Sequence, residues 1–115
     1  MKNLSLILIF LVLLLLNTEQ GNALDCGQVQ SSVHPCEAYL LKGANEPSAG
    51  CCSGVRSIRD SATTVEERRA ACECLEKFAN KYPNVRDDLI ASVPVRCGVD
   101  LGYPISKAMN CNDIP

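Results

Sequence analysis

Eight cysteines are the side chains whose type and spacing carry the clearest chemistry in this sequence. They read Cys26-x9-Cys36-x14-Cys51-Cys52-x19-Cys72-x-Cys74-x22-Cys97-x13-Cys111. Thiols at this density bind metal, exchange electrons or crosslink the chain. Zinc sites draw on C-x2-4-C pairs, and dithiol redox motifs on C-x-x-C. The adjacent pair and the C-x-C found here are neither, so structural disulfides are expected and no metal or cofactor is called for. Eight half-cystines permit 105 pairings, and spacing does not choose among them. On a helix, Cys51 and Cys52 point about 100° apart and Cys72 and Cys74 about 200° apart, so the members of each pair should serve different partners.

Few other side chains offer reactivity. His34 is the single histidine, and no serine lies in a G-x-S-x-G setting. It precedes Pro35 in a helical pattern and reads as an incidental surface or packed residue, so no enzyme is expected. Arg68 carries a planar fork suited to a carboxylate or phosphate; the competing reading is a surface salt bridge with Glu67 or Asp60. Tyr103 joins an apolar ring to a polar tip, a fit for a lipid near its head group; the competing reading is a buried anchor for the chain end. Arg56 and Lys107 are weaker candidates.

Those residues need a scaffold, and the first segment says where it is built. Lys2 precedes a 13-residue apolar run, Leu4 to Leu16, broken only by Ser5, and Gly21 and Ala23 suit positions −3 and −1 of a cleavage site. That is the layout of a secretory signal peptide over residues 1–23, and the run is shorter than the ~20 residues of a membrane span. Removing it leaves 92 of the 115 residues, residues 24–115, as one small domain containing every cysteine. An exported product meets oxidising conditions, which favours paired cysteines. Leu, Ile, Val and Phe make up only 19 of the 92, close to the level at which a chain without crosslinks fails to hold a core. The net charge of −2 gives no basic footprint for nucleic acid.

Periodicity over residues 24–115 predicts an all-α fold of four short helices and an irregular C-terminal tail. The first runs from about Cys26 to Lys42, with Val29, Val33, Cys36 and Leu40 in stripe, a kink at Pro35 and a stop at Gly43. Ser48 caps the second, which runs to about Asp60 with Cys51, Val55 and Ile58 on one side. Thr64-Val-Glu-Glu67 is a capping box, opening a third helix from about Val65 to Asn80 with Ala71, Leu75 and Phe78 in stripe. Asn84 should cap the fourth, about Val85 to Val93, ending before Pro94. Beyond Cys97 the chain should lie extended over the helices.

Such a chain has a physical route to being hollow. Empty volume costs roughly 24 cal/mol per Å3, so a pocket of ~300 Å3 costs about 7 kcal/mol. Disulfides closing loops of tens of residues contribute about 3–4 kcal/mol each in the chain-entropy model and can hold helices apart. The candidate lining is Val29, Val33, Leu40, Val55, Ile58, Ala71, Leu75, Phe78, Leu89, Val93, Val99, Tyr103 and Ile105.

The whole of residues 24–115 resembles a plant nonspecific lipid transfer protein of type 1. All eight cysteine intervals carry the resemblance, as do Cys26-Gly-Gln-Val29, Cys51-Cys-Ser-Gly-Val-Arg56, Arg69-Ala-Ala-Cys72, Cys97-Gly-Val99 and Tyr103-Pro-Ile-Ser106. Thr64-Val-Glu-Glu-Arg68 matches the family's T-x-x-D-R motif with Glu67 for Asp, and Gly102-Tyr-Pro-Ile-Ser106 matches P-Y-x-x-S with Gly102 for Pro. The resemblance implies pairs Cys26–Cys74, Cys36–Cys51, Cys52–Cys97 and Cys72–Cys111. Type 2 relatives exchange partners at the C-x-C and carry an apolar middle residue, whereas this chain has Glu73. It implies a cavity around acyl chains, with Arg68 and Tyr103 near the head group. It further implies a secreted, monomeric carrier in the cell wall space. Such a carrier takes up fatty acids, lysolipids or phospholipids, touches membranes transiently, and acts in cutin or wax deposition or in defence. The alternative is a protease or amylase inhibitor or a storage protein of the wider eight-cysteine group, but neither a recognition loop nor a Gln-rich insertion is visible. The acidic balance departs from the basic charge common in the family and weakens a case for action on anionic membranes.

Overall fold

The computed structural model describes residues 2–20 and 25–115. Helix α1 (Lys2–Gln20) carries the apolar leader, and its side chains from Leu4 to Leu13 are 48% to 66% exposed, so they add nothing to the core. The cleavage site expected at Gly21 and Ala23 lies outside the described residues.

The first helical segment is kinked. α2 (Cys26–Val33) starts at Asp25, whose carboxylate accepts the Gly27 amide at 3.0 Å. A 3-10 turn at His34–Cys36 then carries Pro35, and α3 (Glu37–Leu41) follows. Pro35 has no amide to donate and its ring crowds the preceding turn, so the axis bends there. Gly43 leaves the helix at φ 72°, a left-handed conformation suited to glycine. α4 (Ala49–Ser61) opens with the Ser48 hydroxyl accepting the Cys51 amide at 3.1 Å.

α5 (Val65–Ala79) opens with the Thr64 hydroxyl accepting the Glu67 amide at 3.1 Å. The return half of the capping box differs from expectation: Glu67 Oε1 accepts from the Thr64 hydroxyl at 3.0 Å, where the box would have it reach the Thr64 amide.

α6 spans Asp87–Cys97 and corrects the expected fourth helix at both ends. Its N-cap is Arg86, without a side-chain hydrogen bond, rather than Asn84; Asp87 and Asp88 supply negative charge to the first turn instead. Pro94 sits inside the helix and is buried. The helix runs on because its end is fixed elsewhere. Cys97 is tied to Cys52, and Gly98 at φ 68° closes a Schellman turn. In that turn the Gly98 amide reaches Val95 O at 3.1 Å and the Val99 amide reaches Pro94 O at 2.9 Å.

The disulfides join Cys26–Cys74, Cys36–Cys51, Cys52–Cys97 and Cys72–Cys111, the four pairs that the resemblance implies. They tie α2 to α5, the 3-10 turn to α4, α4 to α6 and α5 to the tail, so α2, α4, α5 and α6 are each crosslinked and α3 follows directly on a crosslinked turn. Where α2 crosses α4 there is no room for a side chain: a Cβ on Gly54 would lie 1.7 Å from the Ser32 carbonyl oxygen.

Residues 98–115 lie over the helices in extended form, ending in a 3-10 turn at Cys111–Asp113. From 99 to 105 odd positions turn inward and even positions outward: Val99, Leu101 and Ile105 are buried and Tyr103 half-buried, while Asp100, Gly102 and Pro104 are exposed. That is the period of two of an extended strand. Further on, the tail is clasped. The Lys107 amide donates to Asp87 Oδ1 at 3.0 Å, and its ammonium donates to the carbonyls of Pro83 and Val85. The Asn80 amide group holds Lys107 O at 2.9 Å, and Glu76 accepts the Met109 amide at 2.8 Å.

Candidate functional site

The helices and the tail enclose a narrow cavity. It is lined by Val33, Cys36, Leu40, Val55, Ile58, Leu75, Phe78, Ala79, Ile90, Val93, Leu101 and Ile105, all of them apolar. Its atom-free space is about 440 Å3 counting the open side, but the part that admits the centre of a water molecule is about 30 Å3. The hollow is therefore slimmer than the ~300 Å3 pocket weighed from the sequence. Among the described residues, no group of three His, Cys, Asp or Glu side chains is placed to hold a metal ion.

Eight of the expected lining residues border this space: Val33, Leu40, Val55, Ile58, Leu75, Phe78, Val93 and Ile105. Val29, Ala71 and Val99 do not. They are at most 5% exposed and belong to the core away from this space, Val29 bordering an outer groove between α2 and α4. Val29 is packed where α2 meets α4, and Ala71 stands among the crosslinked cysteines of α5. Leu89 does not border this space either. It is half-buried in an outer groove with Tyr39, Arg86, Ser92 and Arg96, and Ile90 takes the inward place. Both lie three or four residues before Val93, so spacing alone does not choose between them. The wrong helix start at Val85 removed the remaining clue.

Four lining residues escaped the sequence reading. Cys36 and Ala79 were passed over as a crosslink and a small residue, and Ile90 was displaced by Leu89. Leu101 had a usable signal, the alternation with Val99, Tyr103 and Ile105.

Tyr103 and Arg68 meet at one mouth beside the cavity, together with Ile58, Arg59, Ala62, Asp100, Leu101 and Gly102. Arg68 is half-buried and makes neither ion pair weighed for it. Its guanidinium donates to Thr63 O at 3.3 Å and to Pro115 O at 2.9 Å. Two of its five donors are thus engaged with backbone, and three remain. Asp60 pairs with Arg59 instead, at 3.1 Å. Burial pushes the Tyr103 hydroxyl up to about 12, against the pull of the nearby Arg68 charge, which lowers it. Tyr103 is therefore a neutral hydroxyl at every physiological pH, able to donate as well as accept. His34 is exposed beside Glu37 at 3.5 Å, in an outer groove away from the cavity and its mouth.

The arrangement is an apolar slot with a cation and a neutral hydroxyl at its rim. Such a site can take up a chain of methylene groups and hold an anionic or polar end.

Comparison with known proteins points the same way. The profile of the Protease inhibitor/seed storage/LTP family matches residues 26–111. The chain is 47% identical to non-specific lipid-transfer protein A of Ricinus communis over 90 residues, which are 78% of this chain and 98% of the relative. It is 44% identical to non-specific lipid-transfer protein 1 of Foeniculum vulgare over 80% of this chain and the whole of that one. The fold matches non-specific lipid transfer protein 1 from barley in complex with a lysophosphatidylcholine. There the TM-score is 0.71 and the identity 37%, over 80% of this chain and all of that one. It also matches the wheat protein complexed with two molecules of phospholipid, at TM-score 0.68 and 40% identity over 76% and 97% of the two chains. With its eight cysteines paired in four disulfides and its helices wrapped around an apolar slot, the chain belongs to the plant nonspecific lipid transfer proteins of type 1.

Proposed function

We propose that residues 24–115 form a secreted carrier that encloses the acyl chains of fatty acids, lysolipids or phospholipids and moves them between membranes. The observation that carries this reading is the fully apolar lining, opening beside a rim that holds Arg68 and Tyr103. Burying a methylene is worth ~0.8 kcal/mol relative to water, and a bilayer offers about the same per methylene. The difference between protein and membrane is therefore small, so loading and unloading both proceed, with no catalytic group required. Apolar walls read chain volume and little else, which makes the carrier broad in its choice of tail.

Arg68 and Tyr103 take the head group in this reading, Arg68 through its free donors and Tyr103 through its hydroxyl. The exposed apolar side chains of α1 support loss of residues 1–23 on export, and the four disulfides suit an oxidising space outside the cell; in this reading the carrier acts there as a monomer. The bound structures of relatives, with a lysophosphatidylcholine, phospholipid and palmitate, support the same ligand classes.

The test is transfer of a fluorescent phospholipid from donor to acceptor vesicles by the disulfide-bonded protein. Acceleration over vesicles alone, competed by palmitate, is the expected result. Absence of both acceleration and palmitate binding overturns the proposal.

A further inference from the structure

The cavity and its mouth share two lining residues, Ile58 and Leu101. They are held in different ways. Ile58 stands on α4, which is fixed by two adjacent disulfides and by the backbone contact at Gly54. Leu101 stands on the tail, between the Cys97 crosslink and the clasp at Lys107. The hydrogen bonds of residues 98–104 are local. The Gly98 and Val99 amides close the end of α6, and the Gly102 amide donates to Asp100 Oδ1 at 2.8 Å. Gly102 takes φ 85°, a turn conformation that favours glycine. Leu101 is thus a buried side chain, 8% exposed, between two exposed neighbours on a small turn. Its side chain borders both the cavity and the mouth, and its segment is free of crosslinks between Cys97 and the clasp at Lys107.

We propose that Leu101 is the gate of the cavity, and that withdrawal of its side chain sets the rate at which a lipid enters and leaves. This rests on the carrier reading above. A gate differs from a wall in kinetics. A wall residue contributes contacts to the bound ligand, so trimming it speeds dissociation alone. A gate limits passage in both directions, because the apparent association rate carries the fraction of time the passage is open.

The experiment is stopped-flow mixing of the disulfide-bonded protein with a fluorescent fatty acid, alongside an equilibrium titration of the same probe. Leu101→Ala should raise the association and dissociation rate constants together, each by about tenfold, a factor in line with exposing part of a leucine side chain. Leu75→Ala removes the same atoms from the cavity but not from the mouth, and should raise dissociation while leaving association near wild type. Asp100→Ala, an exposed substitution that removes the turn's hydrogen bond, should raise both rate constants by a smaller factor, and it carries the test where Leu101→Ala loses helical circular dichroism. Dissociation alone rising in Leu101→Ala, with association unchanged in Asp100→Ala as well, makes Leu101 a wall and overturns the gate. Failure of the wild-type protein to bind the probe in the titration overturns the carrier reading itself.

Discussion

The two sides of the cavity are closed by the same kind of group and secured in opposite ways. Toward the mouth the closing side chain is Leu101, on a turn with local hydrogen bonds. On another side it is Phe78, which separates the cavity from an outer groove lined by Gln30, His34, Glu37, Lys81 and Tyr82. Phe78 stands edge-to-face with Tyr82 at 5.2 Å. The Tyr82 hydroxyl donates to the Glu37 carboxylate, and the Lys81 ammonium donates to Gln30 Oε1 at 2.7 Å. Those bonds tie the end of α5 to α2 and α3. An apolar plug is thus inert or movable according to whether its polar neighbours bond across elements or only to themselves.

The comparison fails altogether if the crosslinks are removed. With about a fifth of residues 24–115 in large aliphatic and Phe side chains, the helices do not hold either wall by apolar burial alone. Full reduction should abolish lipid binding and collapse the helical circular dichroism at 37 °C. Retention of both after verified reduction refutes this.

In the proposed reading head-group contact belongs to the mouth. Arg68→Ala should weaken a fatty acid by roughly ten- to a hundredfold, as expected for loss of a hydrogen bond to a charged partner, and barely affect the corresponding fatty alcohol. Val33→Trp, which fills the cavity itself, should weaken both ligands alike. Equal losses for acid and alcohol in Arg68→Ala, measured by probe displacement, would mean that Arg68 serves only to hold Thr63 and Pro115.

At the Phe78 side the expected effect is smaller and concerns stability. Glu37→Ala removes a part-buried hydrogen bond worth about 1 kcal/mol and should lower the denaturation midpoint, while the rates of ligand entry at the mouth stay as they were. Faster entry in this variant would reveal a second door.

The smallest effect is a titration. Tyr82 and Tyr103 are both pushed up to about 12, chiefly by burial, but the adjoining charges act in opposite senses: Glu37 adds to the rise of Tyr82, and Arg68 opposes that of Tyr103. A hydroxyl whose folded pKa exceeds its unfolded value of about 10 adds stability that is complete below pH 10. That stability is lost as pH rises from about 10 through 12. Absorbance at 295 nm should show Arg68→Ala raising the midpoint of one tyrosine and Glu37→Ala lowering that of another. Shifts of the same sign would remove the electrostatic contrast between the two sides.

Much of this molecule is legible in its residues because local chemistry fixes it. Ser48 and Thr64 cap helices wherever they precede a helical stripe, Pro35 kinks whatever helix contains it, and adjacent half-cystines diverge on any helix. The illegible parts depend on contacts between distant residues. Pro94 reads as a stop, yet the helix continues to a crosslink and to Gly98. Val29 and Val33 lie on one stripe four residues apart, yet one borders an outer groove between α2 and α4 and the other the hollow. That distinction is set by how near the facing helix approaches, which no single helix encodes. Arg68 was placed at the rim by a motif, but its bonds to Thr63 and Pro115 depend on where the tail comes to rest.

The contact at Gly54 bears on how the protein swells. A cavity this slim must widen around cargo, and expansion goes where matter is compressible. At the Ser32–Gly54 crossing of α2 and α4 backbone lies against backbone, with no room for even a methyl group. That seam is the fixed jaw of a vice. Longer or branched cargo therefore registers on the opposite jaw, in α5, α6 and above all residues 98–105. A series of tails of increasing length would be written there as progressive displacement, with the Ser32–Gly54 seam as its unmoving origin.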